Sequence, residues 1–103
     1  MNDSYTPDPS APSALAPRTV STLFHPCNAD RQPLFAVQPG VPVADALDSA
    51  YCLLDVAEEL TAHLSGTDHQ RREQVGHACA CLVEMAKATV RACVEGIEAA
   101  RRH

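Results

Sequence analysis

The feature that most constrains the fold is the regular spacing of apolar residues between residues 43 and 64. The separations alternate between four and three residues, with one polar place at Thr61, along Val43, Leu47, Ala50, Leu54, Ala57 and Leu64. Side chains at this spacing lie on one face of an α-helix. Three further residues lie beside this stripe and widen it: Ala46, Leu53 and Leu60. The pattern therefore predicts a helix over 42–65, with Pro42 in the first turn, where its missing N–H costs nothing.

A second helix is predicted over 68–101. Apolar residues recur there at steps of three or four, broadened by two more valines: Val75, Cys79, Leu82, Ala86, Val90, Cys93, Ile97 and Ala100, with Val83 and Val94. Gly66 is expected to end the first helix in the left-handed conformation. Thr67 and Gln70 predict a capping box at the start of the second. Because the connection is so short, the two helices are expected to pack as antiparallel neighbours.

The residues before the first helix divide into a tail and a hairpin. Residues 1–17 contain mainly Pro, Ser, Ala and Asp, so they are predicted to be a disordered tail. Residues 19–24 are rich in β-branched side chains, and a second apolar run covers 34–37. The turn-like stretch HPCNADRQP separates them, which predicts a β-hairpin over 18–41. A hairpin alone is marginally stable in water, so it has to pack on another element.

The sequence thus predicts a mainly α domain over 18–103, in which the β-hairpin precedes an antiparallel two-helix hairpin. About 85 residues make a marginal core, and pairing with a second copy is an economical remedy. We therefore expect a homodimer in which two helical hairpins form a four-helix bundle. The predicted interface residues are Leu47, Leu54, Leu82, Ala86 and Val90. The alternative is that the β-strands cover this face within one chain.

Charge and hydropathy exclude some partners. The formal net charge of −5 argues against a duplex nucleic-acid partner, whose phosphates require cations. Residues 45–59 contain five acidic and no basic residues, whereas residues 69–103 contain six Lys or Arg and four Glu. Helices of opposite sign could attract each other within a chain or across a dimer, or the charges could form a solvated face. No apolar run approaches the roughly 20 residues of a membrane span, and no signal peptide is evident, so we expect a cytoplasmic protein with no membrane partner.

Two segments in order, LFAVQPGVPVADALDSAYCLLDVAEEL and CLVEMAKATVRACVEG, give the chain a family resemblance. The residues that carry it are Leu34, Phe35, Val37, Gly40, Val41, Pro42, Asp45, Ala46, Leu47, Ala50, Leu53 and Leu54, then Leu82, Glu84, Met85, Ala86, Lys87 and Ala88. The chain resembles a family of short uncharacterised proteins of Gram-negative bacteria, over roughly residues 19–97. Tyr51 departs from the small residue that members have there. The resemblance implies no activity, substrate or catalytic residue.

Four residues could supply ligands to a metal ion: His25, Cys27, His77 and Cys81. The last two are four residues apart and share a helix face, and the first two lie in the hairpin. No pair has the CxxC spacing of a zinc knuckle, and the five cysteines in a reducing compartment are interpreted as thiols. Cys79 and Cys93 fall on the apolar stripe and are expected to be core residues.

Catalytic patterns are weak. Ser49, Cys52, Glu59 and His63 have suitable side chains, but they spread around the first helix. The four glycines, at 40, 66, 76 and 96, form no phosphate-binding loop, and the last two are expected to weaken the second helix. The sequence therefore predicts no enzyme and no cofactor.

The function that the sequence favours is that of a small non-catalytic cytoplasmic protein, acting through protein–protein contacts in a homodimer or with an unknown protein partner, with regulation as one role. Two alternatives stay open. One is a metal- or thiol-based sensor that uses the cysteines and histidines. The other is a small acidic chaperone or antitoxin-like protein, which would co-purify with a basic partner.

Overall fold

A computed structural model of the chain describes residues 16–64, 66 and 68–102. Its elements are β1 (Thr22–Pro26), β2 (Pro33–Val37), α1 (Val43–Ala62) and α2 (His69–Arg101). The predicted fold class, a β-hairpin followed by a two-helix hairpin, is confirmed. Most of the predicted disordered tail, residues 1–15, lies outside the described residues. Assembly into a four-helix bundle stays a prediction.

The helix ends follow local chemistry. Pro42 precedes α1, and its carbonyl accepts the N–H of Ala46 at 3.0 Å. Gly66 adopts the expected left-handed conformation, with φ 83°, but it does not cap α1, which ends at Ala62 with His63 as its C-cap. The predicted capping box is wrong, because the N-cap of α2 is Asp68, whose carboxylate accepts the N–H of Arg71 at 2.7 Å. A carboxylate caps well and also favours the positive end of the helix dipole.

Two sulfur contacts set the register of the antiparallel helices. Cys79 Sγ lies 3.5 Å from the carbonyl oxygen of Ala57, and Cys93 Sγ lies 3.9 Å from that of Val43. With 33 residues against 20, α2 therefore continues beyond the start of α1. The hairpin and the segment that leads into it pack against this C-terminal half of α2.

The core of the described chain consists of small side chains. Its buried apolar residues are Val43, Ala46, Ala50, Ala57, Ala86, Ala88, Ala92 and Cys93. The stripe predicted for α1 is wrong in part, because Leu47 and Leu54 are 41% and 45% exposed. Leu53 and Leu60, expected beside the stripe, are half-buried instead. Since alanine lets two helices approach closely, the alanine-rich face of α1 meets α2 and the leucines move to the margins of the contact.

A buried threonine holds the start of the domain in place through hydrogen bonds. Thr19 donates its N–H to the carbonyl of Val41 at 2.8 Å, and its hydroxyl donates to the carbonyl of Gln38 at 2.8 Å. The same hydroxyl accepts the N–H of Val41 at 3.0 Å. The turn between these residues places Gly40 at φ 85°, a conformation that suits glycine after a proline. These hydrogen bonds hold Thr19 against the turn before α1, and we call this arrangement the Thr19 clamp. Because Thr19 is bonded to the turn, β1 begins later than the predicted stretch 19–24.

Gly96 lets this segment touch the backbone of α2. The N–H of Val20 donates to the carbonyl of Ala92 at 3.2 Å. A β-carbon on Gly96 would collide with the carbonyl oxygen of Arg18 and lie 2.8 Å from its carbonyl carbon. Gly96, expected from the sequence to weaken α2, is thus a packing requirement.

We predict opposite effects for alanine at the two glycines of α2. Gly96→Ala should lower the free energy of unfolding by about 1–3 kcal/mol, because backbone that must shift outweighs the better helix propensity. Gly76→Ala is the matched control: nothing lies within 4 Å of its added β-carbon, so stability should rise by up to about 1 kcal/mol. Urea unfolding followed by circular dichroism measures both. Equal stability of Gly96→Ala and the unchanged chain would contradict the packing requirement.

Candidate functional site

An open groove of about 960 Å³ runs along α2, between the β-hairpin and α1. The side chains of its floor come from α2 at helical spacing, one wall is β1, and on the other side α1 contributes Leu54. The apolar residues that line it are Leu23, Phe24, Pro26, Leu54, Ala86, Ala88, Val90 and Val94. We define this groove as the candidate site.

The hairpin wall is held in place by a histidine in an unusual backbone conformation. His25 has φ 66°, a left-handed value that non-glycine residues adopt rarely. Its Nδ1 lies 2.9 Å from Oε1 of Glu84 on α2, where an imidazole N–H donates to the carboxylate. Its ring lies 5.2 Å from the ring of Phe35, which also contacts Phe24 at 5.8 Å. These contacts fix β1 beside α2 and so set the width of the groove.

Large apolar side chains are exposed on and beside the groove. Val90 on the floor is 39% exposed. Tyr51, which lies beside Leu54 on α1, is 71% exposed. Leu47 lies two helical turns from Leu54 on the same side of α1. These exposed apolar side chains lie near one another on α1 and α2, and a large exposed apolar patch is typical of an interaction site.

Charged residues of both signs border this apolar surface. Asp55 and Glu58 flank the exposed Tyr51 and Leu54 in a shallow depression of about 300 Å³ on α1. On the groove floor, Lys87 and Arg91 lie four residues apart, with Glu84, Glu95 and Glu98 also lining the groove. An anionic margin on α1 thus lies beside a floor that carries charges of both signs.

The structure brings together some of the five predicted interface residues. Leu54, Ala86 and Val90 line the groove together. Ala86 is 1% exposed at its base, Leu82 is half-buried, and Leu47 lies exposed outside the groove. Sequence reasoning did not find the hairpin wall, because neither strand carries a signal for the helix face on which it packs.

The four candidate metal ligands do not form a cluster. His25 is bonded to Glu84, Cys27 is exposed after β1, and His77 and Cys81 are exposed on α2. Within residues 16–64, 66 and 68–102, no three His, Cys, Asp or Glu side chains lie close enough to hold a metal ion. The groove lining also holds no cysteine or histidine.

The cysteines differ in exposure, and we predict that they differ in reactivity. Burial raises the pKa of the Cys93 thiol, so this thiol stays protonated, whereas Cys27, Cys52 and Cys81 are exposed. Brief alkylation of the native chain, read out by peptide mass spectrometry, should modify the three exposed thiols and spare Cys93. The folded state favours the protonated Cys93 thiol over the thiolate. The stability that comes from burying this thiol is therefore present below the thiol pKa of the unfolded chain and is lost at alkaline pH. Early modification of Cys93 would contradict its burial.

Comparison with known proteins places the chain in a family. A family model described as "Protein of unknown function (DUF3077)" matches residues 19–95. The chain belongs to the DUF3077 family. The match begins at the Thr19 clamp and ends beside Gly96, so it contains the hairpin, α1 and most of the groove. The predicted resemblance to an uncharacterised family is confirmed, and the bacterial origin that it implied stays a prediction.

No curated protein and no solved structure matches the chain significantly. Neither α1 nor α2 contains a stretch that is long and apolar enough to cross a membrane.

Proposed function

We propose that this DUF3077 chain is a non-catalytic cytoplasmic protein that acts through protein–protein contacts and that its working form is a homodimer. The observation that supports this proposal is the exposure of large side chains over a core of small ones. Leu47, Leu54 and Val90 are exposed, whereas the buried positions between the helices hold mainly alanine.

The energetics favour association. Full burial of a leucine or valine side chain stabilises by about 1.5–3 kcal/mol, and alanine contributes less because it removes less apolar area from water. A domain of this size is only marginally stable. The burial of apolar surface that is exposed to water in the single chain would therefore add a large share to its stability. A second protein that covers the groove and its margins supplies that contribution.

The lining of the groove supports a contact role over catalysis. Its floor is apolar, and its polar side chains are carboxylates and cations together with Thr22. Nucleophilic catalysis requires a nucleophile and a base within hydrogen-bond reach of each other. The groove instead combines apolar side chains with charged ones of both signs, and protein interfaces also combine apolar and polar surface.

We predict that the purified chain is a dimer, with about twice the 11.0 kDa mass of one chain in light scattering after size-exclusion chromatography. Leu54→Asp should weaken the dimer by more than about 10-fold, because the interface cannot solvate a buried carboxylate. Val56→Asp is the control, since Val56 is 49% exposed and points roughly 200° around α1 from Leu54.

Circular dichroism has to show native helix content in both variants, so that loss of the dimer is not loss of the fold. A monomeric unchanged chain at high concentration would overturn the homodimer. Equal association of the two variants would place the interface elsewhere.

A further inference from the structure

The outer face of α1 carries an acidic ridge with no cationic partner in its own chain. We define the ridge as Tyr51, Leu54, Asp55 and Glu58, which share one face at spacings of three, four and seven residues. α1 contains no Lys or Arg, and neither carboxylate of the ridge forms an ion pair in the described part of the chain. Two carboxylates three residues apart on a helix repel each other. The ridge is therefore apolar surface bordered by unneutralised negative charge.

The groove floor carries cations that are also poorly neutralised. Lys87 forms no ion pair with any described residue. Arg91 reaches Glu95 at 3.8 Å, between two exposed side chains, and such surface pairs contribute little. Of the other carboxylates in the groove, Glu84 is bonded to His25, and Glu98 lies at the C-terminal end. The lining as a whole holds three cations, one of them Arg31, and three carboxylates. Lys87 is the floor cation that no described carboxylate pairs with.

The ridge, a face of α1 whose four side chains enclose only a shallow depression, also matches the groove in apolar character. The ridge presents Tyr51 and Leu54, and the groove presents Val90 and Val94 on its floor with Leu23 on its wall. An amphipathic helix that lays its apolar face into a groove is a common mode of protein recognition. The acidic residues of such a helix would then meet Lys87 and Arg91.

Leu54 belongs to both surfaces, because it forms the α1 wall of the groove and part of the ridge. A two-fold dimer uses the same patch on both copies, and the patch must complement itself. A surface that carries two unpaired carboxylates on the ridge and, beside them, the unpaired Lys87 with the weakly paired Arg91 meets this condition. The two-fold axis then passes near Leu54.

From this match we infer that the occupant of the groove is a second copy of the chain, and that the acidic ridge of each copy lies in the groove of the other. The inference rests on the proposed homodimer and names its contacts. Asp55 and Glu58 of one copy pair with Lys87 and Arg91 of its partner, and Tyr51 and Leu54 pack on the valines of the floor.

A charge exchange between copies tests this arrangement. The ridge variant is Asp55→Lys with Glu58→Lys, and the floor variant is Lys87→Glu with Arg91→Glu. Each variant alone should associate more than about 10-fold more weakly than the unchanged chain, because like charges meet across both halves of the interface. A mixture of the two should form heterodimers, since opposite charges then meet at both. Native mass spectrometry separates heterodimers from homodimers by mass.

Two further variants sharpen the test. The chain with all four substitutions should regain the homodimer, because its exchanged charges again complement each other. Arg71→Glu with Arg72→Glu is the matched control for the floor variant, since it gives the same net charge at the start of α2, outside the groove. This control should dimerise as the unchanged chain does. Rescue by mixing cannot arise from misfolded variants. Circular dichroism has to show native helix content in each variant, so that a failure of mixing is not loss of the fold.

The failures are distinguishable. If the unchanged chain is a monomer, the homodimer itself fails and the inference falls with it. If the unchanged chain and both variants dimerise equally, the homodimer stands and the copies meet through another surface. If both variants weaken the dimer but their mixture forms no heterodimer, the four charges do not pair between copies, and the inference is overturned.

Discussion

The close approach of an extended backbone to α2 is the contact on which the remaining architecture depends. The segment that contains Arg18 and Val20 touches α2 where Gly96 and Ala92 have little or no side chain. Thr19 within this segment also binds the turn that leads into α1, so one short stretch joins the hairpin, the turn and both helices. A larger residue at Gly96 or Ala92 would move the hairpin away from α2 and alter the groove.

Small side chains have a second consequence at the contact between the helices. Alanines allow close packing, which gives many favourable contacts between backbones, but they remove little apolar area from water. The leucines and valines that would fill a thicker core lie at its margins instead. Part of the apolar surface of the single chain therefore remains exposed. This imbalance is the physical basis for expecting a partner.

The groove lies between three elements, β1, α1 and α2, whose relative positions are fixed by specific contacts. His25 holds β1 beside α2 through Glu84, at the expense of a left-handed backbone conformation. Residues in such conformations persist where the surrounding structure determines them, and they concentrate at functional sites. The sulfur contacts of Cys79 and Cys93 set the position of α1 along α2. Together these contacts place Leu54 opposite the hairpin and leave the α2 floor open between them.

The sequence by itself determined the order and type of the elements. Apolar spacing identified both helices to within a few residues, and β-branched runs around a Pro- and Asn-containing stretch identified the hairpin. Helical periodicity also predicted that Ala86 and Val90 share a face of α2, and both line the groove. Local spacing and turn chemistry suffice for these features because they depend on neighbours within one or two helical turns.

The tertiary structure alone decided which of two adjacent faces of α1 meets α2. The seven-residue pattern fits Leu47 and Leu54 as well as Leu53 and Leu60, and close approach through the alanines selects the second pair. It also decided that residue 96 has to be glycine. The requirement arises from the backbone of Arg18, which packs against Gly96 and is far away in sequence. The hairpin wall of the groove was likewise beyond sequence reasoning. Contacts between distant segments carry no periodic signal, since each depends on where the whole chain has already packed.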